Sequence, residues 1–167
     1  MGNKRNAVII ILVCNAILIS LLELIIPVPI PLPGVKLGLA NIITIIAIAF
    51  LDLKAVLMIV LLRCLVVAVL SKGLMMLAFS LSGGLLSALM MWLVFKKLPN
   101  VFSIKGISII GAITHNTAQV MVASLILKET IVFYYLPILL VSSIVTGLIT
   151  GSISELTVRE IRKREIL

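Results

Sequence analysis

The chain has 167 residues, of which 62% are hydrophobic and 12% are charged. Soluble domains are roughly half apolar and a quarter charged, so this composition excludes an ordinary soluble domain and indicates an integral membrane protein. The formal charge of +8 does not indicate a nucleic-acid-binding protein, because the cations stand at the ends of apolar segments and form no single basic face.

Six apolar segments predict an all-α bundle of six transmembrane helices in a single domain, residues 1–167. The helices are expected at about 7–26, 36–51, 54–70, 76–95, 104–127 and 137–155. Pro137 suits the first turn of the last helix. Residues 156–167 form a basic cytoplasmic tail, expected to continue that helix along the membrane surface, where its cations suit anionic lipids.

The distribution of cations predicts that both termini are cytoplasmic. An even number of spans places the termini on one side, and the side with more Lys and Arg is the cytoplasmic one. With the N-terminus inside, ten cations lie at the inner ends and three at the outer ends, Arg63 being set aside as buried. The outer three are Lys36, Lys72 and Lys128. We therefore expect a multi-pass protein of a bacterial plasma membrane.

The segment between the first two helices, PVPIPLPGVKLGLAN (27–41), alternates prolines with aliphatic residues. Proline fixes φ, so this backbone is stiff and extended. Two interpretations are open. The segment is either a rigid connector or a lid that folds over the outer mouth of the bundle.

Arg63 lies near the middle of the otherwise apolar run KAVLMIVLLRCLVVAVL (54–70). A charged side chain at bilayer depth is costly and rarely faces lipid. His115 and Asn116 lie similarly deep in the fifth segment, and Gln119 shares a face with His115 because the two are four residues apart. Such groups indicate a polar site inside the bundle.

We predict that these side chains line a cavity that opens to the outer side. The candidate ligand-binding residues are Glu23, Lys36, Asn41, Arg63, Ser80, His115, Asn116 and Gln119. The cationic groups among them favour an anionic or strongly hydrogen-bonding ligand. Structural alternatives remain: Arg63 could pair with Glu23 or bind a buried carbonyl, and His115 and Asn116 could hold helices together.

The sequence contains no recognisable catalytic machinery. No two of its six acidic residues lie within four positions, whereas magnesium-dependent diphosphate chemistry needs clustered carboxylates. It has no phosphate-binding P-loop and no nucleophile elbow. Cys14 and Cys64 lack metal or redox spacing and are predicted to be structural thiols. We expect no enzyme activity, metal or cofactor.

Small residues recur every four positions in the sixth helix at Ser143, Gly147 and Gly151. Such a stripe lets two helix backbones approach closely. It serves either internal packing or docking of another membrane subunit.

Three motifs resemble the small membrane family called Gx transporter, also known as heptaprenyl diphosphate synthase component I. They are GVKLGLANI (34–42), Arg63 within LLRCL and HNTAQ (115–119), and the resemblance spans nearly the whole chain. That family is similar to the substrate-binding S components of energy-coupling-factor (ECF) transporters. The resemblance implies six helices, cytoplasmic termini and an outward pocket covered by the first outer loop.

The resemblance also implies partners. An S component captures a small molecule and docks on a transmembrane coupling subunit driven by two ATPases, often through small residues of its first helix, which Ala16 and Ser20 approximate here. The leading hypothesis is therefore a substrate-binding subunit of an ECF importer. The alternatives are a membrane accessory subunit of a prenyl diphosphate synthase and a stand-alone carrier or channel.

Overall fold

The computed structural model describes residues 2–25, 38–71, 73–99 and 101–164. Its α-helices are α1 (Gly2–Ile25), α2 (Asn41–Phe50), α3 (Leu53–Leu70), α4 (Leu74–Lys97), α5 (Ile104–Leu127) and α6 (Leu136–Lys163). A 3₁₀ helix, Thr130–Tyr135, precedes α6. The described part of the chain contains no strand, so the prediction of an all-α membrane bundle is confirmed.

The five longer helices are long and apolar enough to cross a membrane, which makes this a multi-pass membrane protein. The short helix α2 differs from them. Its ten residues rise about 15 Å, half the thickness of the hydrocarbon core. It contacts every other α-helix, and its residues Asn41–Ile48 are all buried. The short helix is therefore the centre of the bundle.

The segment that contains α2, residues 38–52, runs antiparallel to α1. Contacts at both ends of the segment hold it in this position. Near the end of α1, the Glu23 carboxylate accepts hydrogen bonds from the backbone N–H groups of Gly38 and Leu39. Near its start, Arg5 forms an ion pair with Asp52, just before α3. Glu23 and Arg5 are about 27 Å apart along a helix axis. Residues 38–52 thus cover nearly the same depth as α1, although α2 alone is short.

The remaining helices alternate in direction. Short connections join α3 to α4 and α4 to α5, which makes consecutive helices antiparallel neighbours. At one end of the bundle, Lys105 at the start of α5 lies 3.7 Å from the Glu155 carboxylate near the end of α6. Arg5 and Asp52 lie at this same end, which is the one predicted to be cytoplasmic.

The observed bounds differ from the predicted ones by five residues or more in three places. Helix α1 begins at Gly2, whereas its start was predicted at about residue 7. The second helix was predicted from Lys36, and this is wrong: Gly38–Ala40 form a turn and α2 begins at Asn41, because Gly38 has a positive φ of 81°. The basic tail continues the sixth helix, as predicted, and α6 ends at Lys163. Val158 is buried in the main hydrophobic core, so the tail begins by packing against the bundle and does not lie wholly along the membrane surface. Pro137 lies in the first turn of α6, as predicted.

The small-residue stripe of α6 packs against α5, the helix with which α6 has its most extensive contact. A Cβ on Gly147 would lie 2.6 Å from the Ile109 Cα, and one on Gly151 would lie 2.7 Å from the Lys105 Cα. Ser143 is buried and hydrogen-bonded to Asn116 on α5. The stripe therefore serves internal packing and is not an exposed docking surface.

Gly147→Ala should lower the apparent melting temperature of the purified protein, because the new methyl group meets backbone and cannot be relieved by a side-chain rotation. Overpacking of this kind costs about 1–3 kcal/mol. Gly106→Ala is the matched control, since its Cβ would meet only the half-exposed Phe102 ring at 3.3 Å. Equal melting temperatures for the two variants would contradict the close contact of α5 and α6.

The predicted orientation can be tested by cysteine labelling in a background that carries Cys14→Ala and Cys64→Ala. Lys97 at the end of α4 and Tyr134, whose exposed fraction is 82%, lie at opposite ends of the bundle. A membrane-impermeant maleimide should label Tyr134→Cys in intact cells of a bacterial expression host. Lys97→Cys should react only after permeabilisation, and the reverse pattern would invert the topology.

Candidate functional site

Arg63 lies in the middle of α3 with an exposed fraction of 5%. Its Nη1 donates a hydrogen bond to the Ser20 Oγ on α1 at 3.3 Å, and its Nη2 lies 3.8 Å from the Cys64 Sγ. Its Nε has no acceptor among the described residues. A buried guanidinium carries five N–H donors, so these contacts leave much of its hydrogen-bonding capacity unused.

No carboxylate balances the charge of Arg63 within the described residues. The ion pairs found there are Arg5–Asp52, Lys105–Glu155 and Arg164–Glu160. Glu23 instead accepts hydrogen bonds from the backbone at the start of the α2 region. The alternative in which Arg63 pairs with Glu23 is therefore not observed. A buried charge without a counter-ion is costly, which favours a functional role for Arg63 over a structural one.

Two adjacent glycines of α4 make room for the polar side chains. A Cβ on Gly84 would lie 2.7 Å from the Arg63 Nη2 and 2.9 Å from the Val60 Cγ1. A Cβ on Gly83 would lie 2.9 Å from the Cε1 and Nδ1 atoms of His115. The absence of side chains at these two positions lets the guanidinium and the imidazole lie directly against the α4 backbone.

These groups surround a small cavity between α1, α3, α4 and α5. Its space for the centre of a water-sized molecule is about 10 Å³, close to the minimum for one ordered water. Oxygen and nitrogen atoms make up much of its wall. The lining residues are Ser20, Glu23, Arg63, Cys64, Val67, Ser80 and His115.

The structure brings four of the eight predicted site residues to this cavity: Glu23, Arg63, Ser80 and His115. The imidazole also lies near Gly38, where a Cβ would be 3.5 Å from the His115 Cδ2. Asn41 lies close to the same glycine, and its Oδ1 accepts a hydrogen bond from Ser87 on α4. It therefore adjoins the cavity without lining it.

The other three predicted residues are placed elsewhere or are not described. Asn116 donates to the Ser143 Oγ at 2.8 Å and so lies between α5 and α6, where it holds the helices together. Gln119 is fully buried but does not line the cavity. Lys36 lies outside the described residues. The same holds for residues 27–37 of the proline-rich segment, so its two interpretations, a rigid connector and a lid, both stay predictions.

Ser20 and Cys64 also line the cavity, although neither was among the site residues predicted from the sequence. Ser20 lies three residues before Glu23, a spacing that places both on one face of α1. A buried arginine needs oxygen acceptors, so a hydroxyl on that face could have been identified from the sequence. Cys64 directly follows Arg63, and nothing in its sequence context distinguishes it from a core thiol.

A model of the family described as heptaprenyl diphosphate synthase component I matches residues 12–157. The chain belongs to this family. The matched range includes every residue that lines the cavity, and the match confirms the family resemblance inferred from the three motifs. No curated protein and no solved structure gives a significant match to the chain. The description of the heptaprenyl diphosphate synthase component I family implies a partner component.

Arg63→Met tests whether the arginine of this family member is structural. If Arg63 serves ligand binding, removing its charge should leave the melting temperature of the ligand-free purified protein unchanged or raise it, because the desolvation cost disappears. Asn116→Ala should lower the melting temperature, since interhelical hydrogen bonds in membranes contribute about 0.6–1.7 kcal/mol. A large loss of stability in Arg63→Met would make the arginine a structural residue.

Proposed function

We propose that the chain is the membrane-embedded substrate-binding subunit of an ECF-type importer and captures a small anionic molecule from the outer side of a bacterial plasma membrane. The observation that carries this proposal is Arg63, buried beside a polar cavity and without a carboxylate partner in the described part of the chain. Interior charges in membrane proteins commonly mark substrate paths.

The small cavity sets how a ligand would bind. Drug-sized ligands occupy pockets of about 300–1,000 Å³, far more than the cavity around Arg63 offers. It would therefore hold one polar group of the ligand, and the remainder would lie outside the present walls. Binding of a larger molecule would require helices α1, α3 and α4 to separate around Arg63.

The importer role also requires docking on a transmembrane coupling subunit with two ATPases, since this chain has no ATPase motif. The pair Ala16 and Ser20, which approximates the docking residues implied by the ECF resemblance, is buried inside the bundle. Docking would therefore use a different face. No residue of this chain is proposed as catalytic, because the subunit would bind its substrate and leave energy coupling to its partners.

The family description favours a second candidate, a membrane accessory subunit of heptaprenyl diphosphate synthase. Its soluble partner would contact the cytoplasmic end of the bundle.

One argument for the third hypothesis, a stand-alone carrier or channel, no longer applies. The glycine stripe that could have joined copies of the chain is used between α5 and α6.

Native mass spectrometry of the detergent-purified protein, followed by extraction of the bound small molecule, is the test of choice. The proposal predicts one bound compound per monomer in wild type and its loss in Arg63→Met. It also predicts that the tagged chain co-purifies from its own cells with a membrane coupling subunit and ATPases.

The same pull-down distinguishes the two candidates. Recovery of a soluble prenyl diphosphate synthase, with an empty cavity in native spectra, would overturn the importer role and establish the accessory subunit. Arg162→Met is the matched control for the binding experiment, because Arg162 is exposed at the end of α6. If the compound is also lost in Arg162→Met, its binding does not depend on the cavity around Arg63.

A further inference from the structure

We infer that the cavity around Arg63 binds a single carboxylate group, so that the captured molecule is a carboxylic acid and not a phosphate or diphosphate ester. This inference rests on the proposed function, whose ligand it assigns to a chemical class. Four features of the cavity carry it: the free edge of the guanidinium, two hydroxyl groups, the balance of charge, and size.

The first feature is the edge of the Arg63 guanidinium formed by Nε and Nη2. This side-on edge presents two parallel N–H groups and is suited to the two oxygens of one carboxylate. The Nε has no acceptor, and the only described partner of Nη2 is the weakly accepting Cys64 sulfur at 3.8 Å. The opposite nitrogen, Nη1, is already bound to Ser20. The chain thus fixes the guanidinium on one side and leaves the carboxylate-binding edge available.

Two hydroxyl groups add donors to the same cavity. The other buried serine and threonine side chains in the described helices form hydrogen bonds to backbone carbonyls, except Ser108, which is bonded to Thr150. Ser20 and Ser80 form no such bond, and both line the cavity. Ser20 accepts from Arg63, which leaves its own O–H free to donate. The described polar groups around Arg63 are therefore mostly donors, and a group with several acceptor oxygens would satisfy them.

The balance of charge limits the charge of the ligand. Among the described residues Arg63 is the one Lys or Arg that lines the cavity, and the Glu23 carboxylate lines it too. A carboxylate brings a single negative charge to the guanidinium. A phosphate ester or diphosphate carries two or more negative charges, and in a medium of low dielectric constant the excess would be repelled by Glu23.

The size of the cavity agrees with this choice. Its space of about 10 Å³ for the centres of water-sized molecules is close to that of one ordered water, so a planar carboxylate would require less movement of the walls than a tetrahedral phosphate with its ester. Gly84 contributes to this fit, because any Cβ there would collide with the Nη2 of the carboxylate-binding edge. The wall of the cavity is thus shaped around the guanidinium itself.

The test uses the full-length protein, purified in detergent and titrated with sodium acetate at constant ionic strength maintained with sodium chloride. Acetate is the smallest probe that presents only a carboxylate. A ligand that binds only the folded state raises the apparent melting temperature once its concentration exceeds the dissociation constant, and the rise then grows with the logarithm of the concentration. A fit of this dependence gives the half-saturating concentration of the probe. We expect a rise of about 2–4 °C for ligand-free wild type at the highest acetate concentration. Sodium pyrophosphate, matched in ionic strength, should give no rise.

Variants distinguish the binding of acetate in the cavity from general effects of salt on the melting temperature. Arg63→Gln should abolish the response to acetate, and Ser80→Ala, which keeps the guanidinium, should raise the half-saturating concentration several-fold. Arg162→Gln carries the same substitution at an exposed position and should respond like wild type. If Arg63→Gln does not fold, Ser80→Ala alone decides. An unchanged half-saturating concentration in Ser80→Ala would overturn the inference, as would tighter binding of pyrophosphate than of acetate.

A carboxylate could belong to a water-soluble acid or to a lipid such as a fatty acid. Laurate added below its critical micelle concentration is the second arm of the titration. A half-saturating concentration at least tenfold below that of acetate, lost in Arg63→Gln, would assign the site to a lipid acid. Similar values for the two probes would assign it to a soluble acid. Either result supports a carboxylate site.

The outcomes also separate this inference from the importer role. If acetate binds as expected but the chain co-purifies with no coupling subunit or ATPase, the carboxylate site stands and the importer role fails. If the chain assembles with ATPases and binds pyrophosphate through Arg63, the importer role stands and the carboxylate assignment fails.

Discussion

The fold depends on the burial of one short helix. Eight successive residues of α2, Asn41–Ile48, are buried, and a helix that is apolar on every side needs neighbours on every side. The other five helices supply them, since α2 contacts each one. Because α2 alone is too short to cross the membrane, its position in depth has to be fixed at its ends. Glu23 fixes the turn before it and the Arg5–Asp52 ion pair fixes the turn after it.

This arrangement explains why polar groups gather on one side of α2. The turn at Gly38 brings the start of α2 close to both Glu23 and the His115 ring, so α1 and α5 approach each other near this level. Arg63 on α3 and the glycine pair of α4 complete the enclosure. In hydrocarbon each polar group must find its partner within the protein. The bundle meets this demand for Glu23 with backbone N–H groups, and meets it for Arg63 only in part.

The sequence predicted α5 with the bounds that the structure shows, because a long apolar run marks this helix. In the structure the Ser103 side chain at its start accepts a hydrogen bond from the Gly106 N–H. The sequence also identified Arg63, since a cation inside an apolar run is conspicuous on any helix. It placed both His115 and Asn116 in the site, whereas only His115 lines the cavity. Successive residues of a helix point about 100° apart, so one of them faces the cavity and the other faces α6. Ser20 was not predicted as a site residue because a serine in an apolar helix usually forms a hydrogen bond to its own backbone. Only the tertiary contact with Arg63 shows that this serine does not.

The chemistry of the cavity bears on how the family description should be understood. Binding of a diphosphate commonly uses several cations or a metal held by clustered carboxylates, whereas one guanidinium and one carboxylate line this cavity. If this family member serves prenyl diphosphate synthesis, the cavity is therefore poorly suited to hold the diphosphate itself. A role in supplying or sensing a smaller acid agrees better with its walls. The single positive charge of Arg63 therefore agrees better with the binding of a small acid than with the diphosphate chemistry that the family description suggests.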